Sequence, residues 1–352
     1  MSDDATSGRP PLAQVVHVMS AYRKHGAALA VGGVTSAARA IAGIDPGHRL
    51  VVVPDGDKLD RALVGRALDS GEPLFHLHHA LAFEALPVKA RFIKTLHVLQ
   101  RRQSRLRHAL EVTRSEALQV EVLRRAARVT VATEACRAML LEDHPELADL
   151  AERVVVLPLV PPEPIARPIT RRSRPRVVAL GRFDKLKGTE TLIDVVGLLL
   201  RSHPDLEVVV AGGLPDHGKY ERRWLEAFHR AIPDTHRERF RFVGWLAEGA
   251  VANLLATSDL MLAPSRLETC GLAVMEAMAA GCVVVASDIP AHREVLGKAG
   301  LFADDAAAMV EAVLSTLASP ATLEDLAALG RTLLPDRAAV RAQWLHFWEQ
   351  TR

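Results

Sequence analysis

Short runs of Val, Leu and Ile alternate with longer segments in which apolar residues recur every three or four positions. The short runs predict buried strands, and the longer segments predict amphipathic helices. In the first half, strands are predicted at 15–20, 49–54, 73–78, 92–97, 128–133 and 153–158, and helices at 33–43, 58–69 and 104–127. This alternation indicates parallel α/β construction.

A proline-rich segment interrupts the alternation. The sequence LVPPEPIARPITRRSRPR has five prolines in 18 residues and no periodicity, so it predicts a linker without regular pairing. The alternation then resumes in the second half. Strands are predicted there at 176–181, 206–212, 239–244, 260–264 and 282–287, and helices at 188–202, 219–231, 248–257, 272–280 and 305–317.

The expected organisation is two Rossmann-like α/β domains that face a cleft. We predict a flexible tail (1–11), an N-terminal domain (12–160), a linker (161–175), a C-terminal domain (176–333) and a terminal helix (334–352). Trp344, Phe347 and Trp348 share one face of that helix, so it must pack, and the N-terminal domain is the candidate surface. In such sheets, ligands bind beyond the carboxyl ends of the strands.

Composition restricts the class of protein further. The chain has 352 residues, a formal net charge of +2 and 24% charged residues, which gives no global case for binding nucleic acid. No run reaches the roughly 18 apolar residues of a membrane span, and the polar first eleven residues do not resemble a signal peptide. We therefore expect a cytoplasmic protein. Cys136, Cys270 and Cys282 lack pairing or metal-ligand spacing and are expected to be buried or half-buried free thiols.

Two common nucleotide-binding motifs are absent. No predicted strand is followed by GxGxxG, since AVGGVTSAAR offers only a pair of glycines, and the P-loop pattern GxxxxGK[ST] does not occur. A dinucleotide enzyme or a P-loop nucleotidase is therefore disfavoured.

Two cations follow the first predicted strand of the second half. In ALGRFDKLKGTETL, Arg182 and Lys187 lie in a short loop between the strand and a helix that begins near Gly188. Cations at this position suit a diphosphate, because guanidinium and ammonium groups bind phosphate oxygens. The alternative is an ordinary solvated loop, which often carries Arg and Lys.

The stretch SRLETCGLAVMEAMAAG places Glu268 and Glu276 eight positions apart around Gly271. The amides at the start of the predicted helix carry positive partial charge, and Gly271 lets a ligand approach the backbone. Glu276 lies about one turn inside an apolar helix, where a buried carboxylate needs a partner. That partner is either a pair of ribose hydroxyls or an internal Arg or Lys, and the spacing alone does not choose between them.

The segments GRFDKLKG, FVGWL and SDLMLAPSRLETCGLAVMEAMAAGCVVVASDIPAHREVL resemble the donor domain of retaining GT-B glycosyltransferases of family 4. Glu268 and Glu276 match the E-x7-E motif of that family, and the resemblance runs from about residue 176 to 300. It implies a GT-B fold and a glycosyltransferase that moves a hexose from a UDP- or GDP-sugar to a hydroxyl of a small-molecule or lipid acceptor. The resemblance implies neither a metal nor another cofactor. The Arg- and Ala-rich composition is typical of a GC-rich bacterium, and from it we expect a secondary metabolite or a cell-envelope glycoside as the product.

The resemblance also implies roles for the matching residues. Arg182 and Lys187 hold the donor diphosphate and neutralise it as it leaves. Glu276 binds the nucleotide ribose, Glu268 contacts the sugar hydroxyls, and His97 lies near the transferred sugar as a further catalytic residue.

Main-chain groups complete the implied donor site. The amides of Cys270, Gly271 and Leu272 donate to phosphate or sugar oxygens. In GGVTSAARAIA, Gly32 and Gly33 match the glycines that let the backbone approach the phosphates.

Two features outside these motifs allow more than one interpretation. His76, His78 and His79 cluster without a nearby Cys or a pair of Asp, so we expect structural or acceptor-cleft residues and no zinc site. Segment 89–108 has seven Lys or Arg residues and no acid. We expect a solvated face there, with peripheral membrane contact as the less favoured alternative.

Two other functions remain compatible with a GT-B fold. A GT-B epimerase or phosphorylase would share the architecture, and a non-catalytic GT-B partner protein would use it for binding alone. The epimerase differs in needing no acceptor. The partner protein would be favoured by loss of the cations or glutamates, all of which are present.

Overall fold

The computed structural model describes residues 15–24, 27–29, 33–54, 74–78, 80, 83, 86, 90–106, 113–167, 173–213 and 218–351. The predicted tail and the predicted helix 58–69 lie outside these residues. The described residues form two α/β units, each built around one sheet of mainly parallel strands.

The first sheet has seven strands, of which six run parallel in the order β3-β1-β4-β5-β6-β7, while β2 pairs antiparallel with the end of β1. The bounds are β1 Val15–Lys24, β2 Ala27–Leu29, β3 Arg49–Pro54, β4 Leu74–Leu77, β5 Phe92–Thr95, β6 Arg128–Val131 and β7 Val154–Val156. Described side chains on both faces of β4 and β5 are buried, because helices cover both sides of a parallel sheet.

The helices of this half are α1 Gly33–Ala42, α2 Gln100–Leu106, α3 Arg114–Arg125, α4 Glu134–Asp143 and α5 Leu150–Arg153. The prediction of one helix over 104–127 is wrong, because α2 ends at Leu106 and α3 begins at Arg114. Thr113 explains the new start, since its hydroxyl accepts a hydrogen bond from the Glu116 amide at 3.1 Å.

The second sheet has six parallel strands in the order β10-β9-β8-β11-β12-β13. The bounds are β8 Arg176–Gly181, β9 Glu207–Gly212, β10 Phe240–Gly244, β11 Leu260–Ala263, β12 Val283–Ala286 and β13 Gly300–Phe302. The five predicted strands are confirmed, and β13 was not predicted. This is the Rossmann strand order, and it reverses between the central neighbours β8 and β11, where Val177 pairs with Leu260.

The remaining helices are α6 Thr189–Ser202, α7 Gly218–Ala231, α8 Glu248–Ala256, α9 Leu272–Ala279, α10 Pro290–Leu296, α11 Ala306–Leu317, α12 Pro320–Leu333 and α13 Arg337–Thr351. Among the described residues, no single helix has the length and apolar composition needed to cross a membrane. One pair of helical segments, Ala306–Leu317 with Pro320–Thr351, does meet those criteria when taken together, although it is bent by 106°.

Helix α13 lies against the first sheet. Trp344 and Trp348 are fully buried in a cluster with Val15 and Ile93. The Trp344 indole N–H donates to the Pro158 carbonyl at 2.9 Å, so the apolar ring is buried and its one polar atom is satisfied. The aromatic face of the terminal helix thus covers the N-terminal sheet.

The loops after β8 and β11 approach each other closely at Gly188, and a substitution there tests this contact. Its φ is +64°, and an added Cβ would lie 1.8 Å from the Pro264 carbonyl oxygen. We expect Gly188→Ala to lower the free energy of unfolding by about 2–4 kcal/mol, through a strained backbone and a clash with main chain.

The matched control is Gly249→Ala in α8, where an added Cβ meets nothing within 4 Å. That substitution should leave stability unchanged or raise it by up to about 1 kcal/mol. Urea unfolding followed by circular dichroism measures both. Equal stability of the two variants would contradict the close approach at Gly188.

Candidate functional site

Two charged side chains meet beyond the carboxyl ends of β8 and β11. Lys187 ends a short 3-10 turn after β8, and Glu268 lies in the loop after β11. The Lys187 Nζ is 2.5 Å from the Glu268 Oε1, and the Ser265 hydroxyl donates to the same oxygen at 2.8 Å. Residues to which the resemblance gave separate roles therefore form one ion pair, at the point where the strand order reverses.

Main-chain hydrogen bonds join the two loops. The Asp184 carboxylate accepts from the Lys187 amide at 2.9 Å and caps the turn. The Arg266 amide donates to the Leu186 carbonyl at 2.7 Å, which ties the loop after β11 to the loop after β8. The position of the ion pair is therefore fixed by hydrogen bonds of the backbone and does not depend on the flexible side chain of the lysine alone.

Glu268 is a carboxylate that stays ionised in a half-buried position. Burial by itself raises the pKa of Glu268, but the Lys187 charge and hydrogen bonds from Lys187 and Ser265 hold that pKa below its usual value of 4.5. The Glu268 side chain is 13% exposed and that of Lys187 is 28% exposed. Removing one partner would leave the other charge poorly solvated, which is costly.

Arg182 is the second cation of this region and lies nearer to solvent. Its side chain is 51% exposed, and its Nη2 is 3.6 Å from the Asp184 Oδ2. An exposed contact of this length contributes little to stability, so the guanidinium can turn toward a ligand at low cost. Arg182 and Lys187 each have a carboxylate neighbour, and the two pairs together carry no net charge.

The start of α9 adds positive partial charge beside the ion pair. Gly271, with φ +86°, is the N-cap residue, and no described side chain caps the helix. The first amides of a helix have no intrahelical acceptor and therefore point toward a ligand or solvent. Glu276 lies about one turn along α9 and is half-buried. Cys270 is buried, and its pKa is raised to about 12, mainly by burial and to a lesser extent by the charge of Glu268.

The N-terminal domain holds the loop that carries Glu268. The Thr269 hydroxyl donates to the His97 carbonyl at 3.1 Å, and the Thr133 hydroxyl donates to the Thr269 carbonyl at 2.7 Å. The Glu294 carboxylate accepts from the first two amides of α4 at 2.8 Å each. The backbone of His97 is therefore in contact with the residue that directly follows Glu268.

Residues 174–319 match the model of a family described as glycosyl transferases group 1. The match covers less than half of the chain and lies in its C-terminal part. Phosphatidyl-myo-inositol mannosyltransferase of Mycobacterium tuberculosis is 28% identical over 190 residues, which is 51% of this chain and 48% of that protein. The chain therefore spans about half the length of this curated relative.

Solved structures show the fold of the whole chain. Sucrose-phosphate synthase from Thermosynechococcus elongatus aligns with a TM-score of 0.75 and 19% identity, over 96% of this chain and 98% of that one. Anabaena Alr3699/HepE in complex with UDP and glucose aligns with a TM-score of 0.70 and 17% identity, over 94% and 99% of the two chains. The fold is GT-B, as the resemblance implied.

Of the three N-terminal residues that the resemblance assigned to the donor site, the structure describes His97 and Gly33. His97 is half-buried two residues after β5, and its Nε2 is 3.1 Å from the Nδ1 of buried His78. Gly33 begins α1, and Ile41 of this helix shares an apolar cluster with Met275 of α9. Gly32 lies outside the described residues.

Sequence reasoning missed several residues around the ion pair. Ser265 and Thr269 flank Glu268, and Glu294 joins the domains. His292 is fully buried, and its Nδ1 donates to the Ser287 carbonyl at 2.9 Å. Burial lowers the pKa of His292, although the nearby Glu268 charge opposes this. No motif marks these residues, because their contacts cross between loops.

The basic segment does not form a continuous cationic face in the described residues. Arg101, Arg102 and Arg105 form ion pairs with acidic residues at 116, 142, 143 and 146. Lys94 is fully buried, and burial lowers its pKa to about 7. Pairing of these arginines favours the expectation of an ordinary protein surface over a membrane-docking one.

The three cysteines are free and buried, which confirms the prediction made for them from the sequence.

The ion pair predicts a pH dependence of stability. The pKa of Glu268 is lower in the folded chain than its usual 4.5, so the pair contributes stability above about pH 4.5 that is lost as the pH falls through the folded-state pKa. We expect Glu268→Gln to cost about 1–3 kcal/mol at pH 7 and progressively less between pH 5 and about pH 3.

Urea unfolding of wild type and Glu268→Gln at pH 7, 5, 4 and 3 measures this difference. Glu238→Gln, at an exposed glutamate of the same domain, is the control and should show no comparable change. A cost of Glu268→Gln that stays constant across this pH range would rule out the ion pair as its source.

Proposed function

We propose that the protein is a retaining glycosyltransferase that moves a hexose from a UDP- or GDP-sugar to an acceptor hydroxyl. The observation that carries this proposal is the arrangement at the strand-order reversal. There the Lys187–Glu268 pair lies beside the start of α9, within the segment that matches the group 1 glycosyl transferases. Rossmann-type sheets bind nucleotides at this position.

The donor diphosphate would bind between the lysine and the start of α9. A lysine ammonium has three N–H donors, so Lys187 can donate to Glu268 and still donate to phosphate oxygens. Arg182 would add a second cation by turning away from Asp184. The amides of Cys270, Gly271 and Leu272 would supply donors that need no charged side chain.

The nucleoside and the sugar would lie on opposite sides of this phosphate position. Glu276, one turn further along α9, would accept hydrogen bonds from the ribose hydroxyls. Glu268 is paired with a lysine and is close to the N-terminal domain. Its carboxylate is therefore better suited to accept hydrogen bonds from sugar hydroxyls than to contact the anionic diphosphate. His97 would face the sugar from the other domain, held near Glu268 through Thr269.

The reaction requires stabilisation of two opposite charges. Breaking the bond between the sugar and the diphosphate develops negative charge on the leaving oxygen and positive charge on the sugar. Lys187, Arg182 and the α9 amides would stabilise the leaving group in an orientation fixed before the reaction. Retention would follow from attack on the face that the diphosphate leaves, with a diphosphate oxygen taking the proton of the acceptor hydroxyl.

The names of the relatives suggest donors and acceptors to test. One relative is named for transfer of mannose to phosphatidyl-myo-inositol, and one structural neighbour holds UDP and glucose. These names support including a lipid-linked polyol as acceptor and both UDP-glucose and GDP-mannose as donors. Secondary metabolites and cell-envelope glycosides are the acceptor classes that we propose.

Nucleotide binding tests the donor site directly. We expect one of UDP, GDP or ADP to bind, and Lys187→Ala to weaken that binding by about 10–100-fold through loss of a charged hydrogen bond. Glu276→Ala should weaken it by about tenfold through loss of the ribose contact. Lys185→Ala, an exposed lysine two residues away, is the control and should change the dissociation constant less than about twofold.

Isothermal titration calorimetry measures these constants, and product analysis with and without acceptor separates the functions. Sugar transfer that depends on an acceptor supports the glycosyltransferase. Isomerisation of the donor without acceptor would indicate an epimerase. A folded wild-type protein that binds no nucleotide would contradict the proposal and favour a non-catalytic partner.

A further inference from the structure

Histidines cluster on one face of the N-terminal sheet, beneath α13. His17 of β1 and His76 of β4 are direct partners in the parallel register, and His78 follows at the end of β4 on the same face. All three side chains are at most 1% exposed. The Trp344 and Trp348 rings of α13 pack against this cluster, with ring centroids 5.6 Å from those of His76 and His17, respectively.

Each of the three rings has one nitrogen held by a neighbour outside the cluster. These contacts are His17 Nε2 to His48 Nδ1 at 3.1 Å, His78 Nδ1 to His97 Nε2 at 3.1 Å, and His76 Nε2 to Thr95 Oγ1 at 2.5 Å. Histidines that bind metals show this arrangement, because an outer acceptor fixes the tautomer and directs the other nitrogen to the ion.

The opposite nitrogens of the same rings face one another inside the cluster, where two are within hydrogen-bond distance and the third has no partner among the described residues. His17 Nδ1 and His78 Nε2 are 2.9 Å apart, and His76 Nδ1 is a buried atom with no hydrogen-bond partner among the described residues. If each outer nitrogen donates its proton outward, the three remaining nitrogens present only lone pairs. Lone pairs that converge in a buried site repel one another unless a proton or a metal cation lies between them, and a single proton between His17 and His78 would leave His76 Nδ1 unsatisfied.

We propose that His17, His76 and His78 bind a divalent transition-metal ion of the Zn²⁺ type. One nitrogen from each residue lies within 4.8 Å of the others. Ligands of tetrahedral zinc at 2.0–2.1 Å are roughly 3.3 Å apart, so side-chain shifts of about 1 Å complete the site. Three neutral imidazoles favour a borderline transition metal over Mg²⁺ or Ca²⁺, which prefer oxygen ligands.

The buried Lys94 beside the cluster does not occupy this position. Lys94 alternates with Ile93 along β5, and Ile93 is the residue paired with His76. The Lys94 ammonium donates to main-chain carbonyls, including those of Leu77 at 3.4 Å and His78 at 2.9 Å. Its charge is therefore directed to the backbone, although it sets an electrostatic limit on how tightly a second cation binds.

The ion would have a structural role. It would link β1 and β4 and, through His48 and Trp348, whose ring centroids are 4.4 Å apart, the helix that covers them. It would also fix the tautomer of His78 and hence the hydrogen bond to His97 in the cleft. The proposal reverses our expectation that the histidines bind no metal, because His17, which is far from His76 in the sequence, lies beside it in the sheet. His79 lies outside the described residues.

The test uses the full-length protein after removal of metals with a chelator. We expect titration calorimetry to show one Zn²⁺ per chain with a dissociation constant below about 1 µM, and a rise of the thermal midpoint on binding. Co²⁺ should give the visible absorption of a tetrahedral site. His76→Asn should weaken binding by at least about 100-fold.

His346→Asn, at an exposed histidine of α13, is the control and should bind Zn²⁺ like wild type. The absence of binding by wild type, or binding that His76→Asn leaves unchanged, would overturn the proposal. Loss of binding in His346→Asn would also overturn it, by assigning the ion to the surface. If His76→Asn does not fold, X-ray absorption of the Zn²⁺-loaded wild type decides, since fewer than three imidazole ligands would exclude this site.

Discussion

The ion pair between Lys187 and Glu268 is the constraint on which the candidate site depends. It joins the ends of β8 and β11, the two strands between which the order of the second sheet reverses. The pair is close to neutral, so attraction for a diphosphate must come from the amides of α9, from Arg182 and from the unused donors of the lysine. Holding Glu268 also holds Thr269, which contacts the backbone of His97 and brings the two domains together.

Local patterns predicted much of the fold. The apolar runs located five of the six strands of the second sheet, and the glutamate spacing with its surrounding sequence led to the GT-B fold. These features are local, because a buried parallel strand requires apolar residues on both faces and a helix start requires particular backbone conformations. The boundary between α2 and α3 was missed, since the capping signal at Thr113 is short and the helical period continues on both sides.

Contacts between distant segments could not be predicted from the sequence. Lys187 and Glu268 are 81 positions apart, and only the adjacency of β8 and β11 brings them together. His17 and His76 meet for the same reason in the first sheet. The basic composition of segment 89–108 predicts that Lys94 lies on a charged surface, but its position in β5 buries it. The charge of a residue alone does not show whether its side chain is covered by the rest of the fold.

A crystal structure with the tightest-binding nucleotide sugar would test the central claim most directly. We expect the diphosphate between Lys187 and the amides of residues 270–272, the ribose on Glu276, and the sugar between Glu268 and His97. The Lys187–Glu268 contact should persist, with the lysine also donating to a phosphate oxygen. A nucleotide bound elsewhere, or one that lies at α9 without contact to Lys187, would contradict a donor site organised by this ion pair.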